Sequence, residues 1–143
     1  MMSKIAVIYW SGTGNTEAMA AAVAEGVRSA GGESEIFTVS ELSAETAAAY
    51  DKLALGCPAM GDEVLEEGEF EPFFTALEKQ LSGKTLALFG SYGWGDGQWM
   101  RDWTERARGA GAQLAAEGLI VNEAPDADAL VHCRALGAAL ADA

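Results

Sequence analysis

The chain has 143 residues, with 22 acidic against 9 basic side chains and a formal net charge of −13 at pH 7. That charge argues against docking on a nucleic-acid backbone, where phosphates would meet repulsion instead of releasing counterions, and makes a basic-surfaced partner the expectation. Half of the residues are hydrophobic, so the charge is carried by a folded unit, read here as a single domain over 1–143 that buries roughly two-thirds of its unfolded surface.

Cys57 and Cys133 are far apart and lack the close Cys or His spacing of a metal centre, as expected of a protein of the reducing cytoplasm. The apolar run at 5–10 is far shorter than the ~20 residues that span a bilayer and has no signal-peptide flanks, so no membrane association is expected. Strong like charge favours a monomer.

In chain order, 4–10 (KIAVIYW) is β-branched, aromatic and almost continuously apolar, the pattern of a strand covered on both faces. Met19, Val23 and Val27 recur at four-residue spacing and Gly31-Gly32 supplies a stop, which predicts a helix from Asn15 to about Ala30. The pattern repeats with a short strand at 33–39, a weak helix at 43–50 and a buried strand at 52–56 (KLALG). A helix at 71–81 turns Phe73, Phe74, Leu77 and Leu81 inward, and 84–91 (KTLALFGS) is a further apolar strand. A helix from Gln98 to about Leu114, despite Gly109 and Gly111, then a strand at 118–121 and a helix at 127–140 complete five β-α units. Such alternation predicts a doubly wound α/β fold, a parallel sheet with helices on both faces and right-handed crossovers. Ligands of such sheets bind beyond the carboxyl ends of the strands, which directs attention to the loops after Trp10, Gly56 and Ser91.

The first loop, 11–16 (SGTGNT), leaves a strand and enters a helix, so its backbone N–H groups can converge on an anion at the helix N-terminus. Hydroxyls of Ser11, Thr13 and Thr16 and the amide of Asn15 add donors, and Gly12 and Gly14 allow the tight path. With no Lys or Arg and no GK[ST] ending, a nucleoside triphosphate with Mg²⁺ fits poorly, and a monophosphate held by neutral donors fits better. The second loop, 58–63 (PAMGDE), is by itself a surface turn with a Met filler, and gains interest only from its place beside the first. The third, 92–99 (YGWGDGQW), sets Trp94 between two glycines, where the backbone can approach a flat ligand and the indole can cover it. Trp99, at the start of a helix, is expected to pack on the core.

SGTGNT after the first strand, AMGDE after the third and SYGWGDG after the fourth resemble the short-chain flavodoxins of anaerobic bacteria, as do EFEPFF and LIVNEAPDAD further on. The resemblance runs along nearly the whole chain. It implies a flavodoxin-like five-stranded sheet in strand order 2-1-3-4-5, the standard case of FMN bound at a topological switch point. It also implies that Ser11, Gly12, Thr13, Gly14, Asn15 and Thr16 hold the phosphate of one non-covalent FMN. Met60 would cover one face of the isoalloxazine and Trp94 the other. The backbones of Pro58, Ala59, Gly61, Asp62 and Glu63 and of Ser91, Tyr92, Gly93 and Gly95 would lie around the ring, with the Glu63 side chain bonded to the ring N3–H. The absence of an insertion between Gly118 and Pro125 matches the short-chain members.

On this resemblance the chain is a low-potential one-electron carrier cycling between semiquinone and hydroquinone, without a substrate of its own. A neutral semiquinone has a proton on N5, and Gly61 lets the Gly61-Asp62 peptide turn a carbonyl toward it at little cost. Trp94, Asp62, Glu63 and the net negative field offer no counter-charge to an anionic hydroquinone, which makes the second couple strongly reducing. The run 62–71 bears six carboxylates in ten residues, read either as a solvated face or as a field steering basic partners such as ferredoxin- or flavodoxin-type reductases and low-potential oxidoreductases. His132 is read as a surface residue, and Cys57 and Cys133 as packing thiols.

Three rival readings share parts of this pattern. An NAD(P)H-dependent quinone or azo reductase needs a nicotinamide and substrate pocket that this length hardly accommodates. A response-regulator-like domain needs an acidic phosphoacceptor where Cys57 stands and an acidic pair where Trp10-Ser11 stands. A ribonucleotide-reductase accessory flavoprotein shares the pocket logic and differs in its partner.

Overall fold

A computed structural model describes residues 4–143; the single-domain reading of 1–143 includes residues 1–3, which lie outside them. In chain order the elements are β1 (Lys4–Tyr9), α1 (Asn15–Ser29), β2 (Glu33–Thr38), α2 (Ala44–Ala47), β3 (Lys52–Gly56), α3 (Phe70–Glu78), β4 (Thr85–Tyr92), α4 (Gln98–Gly109), β5 (Gln113–Leu114), β6 (Leu119–Asn122) and α5 (Ala127–Asp142). The strands pair in parallel in the order β2-β1-β3-β4, with β5 and β6 both on the free side of β4. The sheet thus has five positions in the order 2-1-3-4-5, the last shared by two short segments. β5 pairs with Thr85-Leu86 and β6 with Phe89 to Tyr92, so the chain bows away from β4 between them.

That split departs from the helix expected to reach about Leu114. Gly111, at φ +94°, ends α4 early, and the Ala112 amide turns back to the Ala107 carbonyl. Gln113 and Leu114 are thereby released to the sheet edge. Likewise α2 is a single turn, capped by the Ser43 hydroxyl on the Thr46 amide, and α3 stops at Glu78 instead of Leu81. Leu81 still faces inward and is fully buried.

The apolar strands serve two cores because successive side chains alternate between faces. Ile5, Val7, Tyr9, Ala54, Ala87 and Phe89 pack against α1 and α5 on one face. Ala6, Ile8, Leu53, Leu55, Leu86 and Leu88 pack against α3 and α4 on the other, with Phe70, Phe74 and Trp103 set edge to face. Among the described residues no helix is long and apolar enough to cross a membrane.

Two carboxylates secure α3. Glu71 makes a two-pronged ion pair with Arg106 of α4 (2.8 and 2.9 Å), whose guanidinium also lies 4.9 Å over the Phe74 ring. Glu66 accepts the backbone N–H groups of Gly68, Glu69 and Phe70 at 2.7–2.8 Å, satisfying donors that the helix start leaves open. Burial opposes ionisation of Glu66, but the three amides outweigh it and hold its carboxyl below the usual value of 4.5; Arg106 chiefly does the same for Glu71. A carboxyl whose pKa is lower folded than unfolded stabilises the fold above the unfolded value and loses that contribution as pH falls through the folded one. Stability in urea is therefore expected to fall from about pH 4.5 downward, and the fall should be shallower in Glu66→Gln, which has no proton to take up. Parallel slopes for the two proteins would remove Glu66 from the acid response.

Candidate functional site

The carboxyl ends of β1, β3 and β4 open on one edge, and the three loops that leave them meet there. Between them is a cleft of about 490 Å³, lined by Gly12, Thr13 and Asn15 from the first loop, Pro58, Ala59 and Met60 from the second, and Ser91, Tyr92 and Gly93 from the third. A cleft of this size is typical of small-molecule sites.

The first loop ends in Gly14 at φ +94°, the residue before α1. The Ser11 hydroxyl accepts the Gly14 amide (3.1 Å) and the Thr13 hydroxyl accepts the Asn15 amide (3.4 Å), which tightens the turn and leaves both O–H protons free to donate. Among the described residues the backbone N–H groups of Gly12, Thr13 and Thr16 find no protein acceptor. Unpaired amides at the positive end of a helix form an anion cradle. Thr16 is placed differently from its neighbours. Its hydroxyl is buried and lies 3.2 Å from that of Ser91, tying the first turn of α1 to the end of β4.

The second loop is a tight hairpin closed by reciprocal Met60–Val64 backbone bonds of 2.8 and 2.9 Å. Gly61 is left-handed at φ +50°, with nothing within 4 Å of where a Cβ would stand. Glu63 is also left-handed (φ 57°), unusual for a residue with a side chain. Its Oε1 accepts the backbone N–H groups of Asp96, Gly97 and Gln98 at 3.1–3.2 Å and so caps α4 from the second loop. The resemblance gave this side chain to a ring N–H; one of its oxygens is committed to α4 and the other, Oε2, is free for that bond. Gly95, at φ +86°, lies so close that a Cβ there would overlap the Glu63 carboxylate.

Met60 (37 % exposed) and Trp94 (64 % exposed) stand at the cleft, beside Val64 (39 %). Trp94 is at the rim and does not line the cavity, whereas its neighbour Gly93 does. Gly61, Asp62, Glu63 and Gly95 are likewise rim residues, and Ser11 and Gly14 line an adjoining cavity. Trp99 is buried as expected, its Nε1 donating to the Cys57 carbonyl at 3.1 Å. Cys57 and Cys133 are both fully buried; burial pushes the Cys57 thiol far up and Cys133 to about 11, so neither is a thiolate near neutrality. His132 is exposed on α5.

Sequence reasoning missed three lining residues, Trp10, Glu123 and Ala124. Glu123 is, among the described residues, the other left-handed non-glycine residue, and its amide donates to the Tyr92 carbonyl at 2.7 Å. It belongs to the NEAPDAD segment that carries part of the family resemblance, but nothing local in the sequence ties that segment to the third loop. The acidic run at 62–71 is also less uniform than its composition suggests. Glu63 caps α4, Glu66 caps α3, Glu69 accepts the Trp10 indole and Glu71 binds Arg106, which leaves Asp62 and Glu67 without a protein partner among the described residues.

The arrangement offers an anionic group a neutral cradle at one end of the cleft and offers a flat ring Met60 and Trp94 at the other. Comparison with known proteins agrees with that chemistry. A family model described as "Flavodoxin" matches residues 7–137. A flavodoxin of Clostridium beijerinckii is 52 % identical over 120 residues, covering 84 % of this chain and 87 % of that one. A flavodoxin of Megasphaera elsdenii is 46 % identical over 139 residues, covering 97 % and 99 %. The solution structure of the two-electron reduced Megasphaera elsdenii flavodoxin superposes with a TM-score of 0.87 at 47 % identity, covering 97 % of this chain and 99 % of that one.

Proposed function

This chain belongs to the flavodoxin family, and on that premise we propose that the cleft between its three loops is the seat of FMN and that residues 1–143 act as one cofactor-binding domain. The chain is a low-potential, FMN-binding one-electron carrier that passes electrons between redox partners and turns over no substrate of its own.

The observation that carries the placement is the unpartnered amides of Gly12 and Thr13, which line the same cleft as Met60 and the Gly93 backbone, with the Thr16 amide likewise unpartnered in the first turn of α1. In this reading the amides and the Ser11 and Thr13 hydroxyls bind the phosphate without adding positive charge. Met60 and Trp94 cover the ring, and the backbone of 59–63 and 92–95 meets its polar edge. Bound FMN supplies the one-electron chemistry; the protein supplies no acid, base or nucleophile. Gly61, left-handed and sterically open, gives the 61–62 peptide room to reorient toward the ring. The acidic rim, with no cation in the first two loops, disfavours added negative charge on the ring and so keeps the potential low. As partners we propose basic-surfaced redox enzymes, ferredoxin- or flavodoxin-type reductases and low-potential oxidoreductases, met by a cytoplasmic monomer. Asp62, exposed and without a protein partner among the described residues, shares its hairpin with the exposed apolar Met60 and Val64, which supports a docking face of that kind.

Anaerobic titration of the FMN-loaded protein with dithionite is the direct test. Expected is a stoichiometric yellow complex that reduces in two separate one-electron steps, with a long-wavelength band at the halfway point. A single two-electron step would favour the NAD(P)H-dependent reductase reading, and failure to bind FMN would remove the three-loop site altogether.

A further inference from the structure

Trp10 stands between two cavities. It lines the FMN cleft on one side and, on the other, a second cavity shared with the outer side of the phosphate loop and Glu69. Its six-membered ring lies on that loop so closely that a Cβ on Gly12 would be 3.1 Å from its Cη2 and 3.3 Å from its Cζ3. The indole Nε1 donates to Glu69 Oε1 at 3.2 Å, a bond that joins residues 59 positions apart. Glu69 is itself fixed as the residue preceding α3, with its amide held by the Glu66 carboxylate at 2.8 Å. The side chain that overlies the neutral anion cradle is thus pinned from outside by a carboxylate anchored to a helix cap.

We propose that Trp10 is a positioning residue for the phosphate end of the cofactor, a cover over residues 11–14 with Glu69 as its latch. The inference rests on the reading that the cleft holds FMN. The cradle contains no Lys or Arg to retain a phosphate by charge, so retention depends on donors that stay oriented and on exclusion of competing water. An indole packed against Gly12 does both, because it braces the turn that aims the amides and covers one side of that turn. The latch selects for a phosphate monoester: riboflavin, which lacks the phosphate, makes no use of it.

The test compares Trp10→Phe, which keeps a ring without the N–H donor, with Glu69→Ala and Glu69→Gln. Glu69→Gln keeps an acceptor oxygen while removing a negative charge near the phosphate, and so separates latch from charge. Release of FMN from the loaded protein is expected to accelerate about three- to tenfold in Trp10→Phe and in Glu69→Ala, the equivalent of one hydrogen bond. Glu69→Gln should stay near wild type, and the double variant Trp10→Phe/Glu69→Ala should release no faster than either single one, because both remove the same contact. Preference for FMN over riboflavin in competition should fall by the same factor. Additive single effects, unchanged release, or equal weakening toward riboflavin would each overturn the proposal. Proton exchange at Trp10 Nε1 in the protein as purified reads the latch separately; it should quicken in Glu69→Ala. If wild-type protein binds no FMN yet shows that protected proton, the latch exists and the function reading is what has failed.

Discussion

Gly26→Ala is expected to destabilise the protein by about 2 kcal/mol or more, although helix propensity taken alone predicts a gain of about 1 kcal/mol. Gly26 is in α1 and faces α5, and a Cβ there would run into the Arg134 carbonyl. Gly137 of α5 returns the contact, since its Cβ would strike the Val23 carbonyl of α1. The two helices therefore meet backbone to backbone through paired glycines, with Val23, Val27, Cys133 and Leu136 buried around the crossing. Overpacking costs least when the opposing atom ends a flexible side chain; here it is main chain, which moves only if a whole helix shifts. Urea unfolding of the two proteins measures the difference. A more stable Gly26→Ala variant would mean that propensity governs and that α1 and α5 stand further apart. The crossing is remote from the cleft, so the folded variant should keep its FMN affinity.

Glu63→Ala carries the largest expected effect on the site, a loss of FMN affinity of at least about tenfold together with a loss of stability of about 1–3 kcal/mol. One carboxylate oxygen holds three amides at the start of α4, and its Cα belongs to the Met60 hairpin, so the side chain fixes the spacing of the second and third loops, between which the ring is proposed to lie. Removing it leaves the Asp96, Gly97 and Gln98 donors to water and frees Trp94 and Met60 to move apart. Glu63→Gln keeps one acceptor oxygen and should lose less on both counts. Flavin fluorescence on titration gives the affinity and thermal unfolding the stability. Retention of wild-type affinity by a destabilised Glu63→Ala protein would show that the cap serves α4 alone and does not set the cleft.

The latch on Trp10 belongs to the same pattern. Glu63, Glu66, Glu69 and Glu71 come from one acidic run, and each reaches a different target: the start of α4, the start of α3, the indole over the phosphate loop and Arg106. Charge counting along the chain reads such a run as a field acting on partners. Bonds to neutral amides and an indole leave Glu63, Glu66 and Glu69 charged, and of the four only Glu71, paired with Arg106, has its charge offset.

How far the sequence alone went follows from how information is distributed along the chain. Strand–loop–helix alternation is written within a few residues of itself, in apolar runs such as KIAVIY and TLALFG and in four-residue spacing such as Met19, Val23 and Val27. From it followed the doubly wound sheet. Because a parallel sheet brings the carboxyl ends of its strands to one edge, it also followed that SGTGNT, PAMGDE and YGWGDG share a cleft. The stop that Gly111 imposes just after α4 is written locally too, but the apolar pattern that continues to Leu114 masks it. What only the tertiary structure decided are contacts between positions without a common local pattern: Trp10 with Glu69, Glu63 with the start of α4, Glu123 with Tyr92, and Gly26 with Arg134. Each depends on the angle and distance at which two finished elements meet. Those are set by packing summed over the two cores, a quantity that no window of a few residues contains.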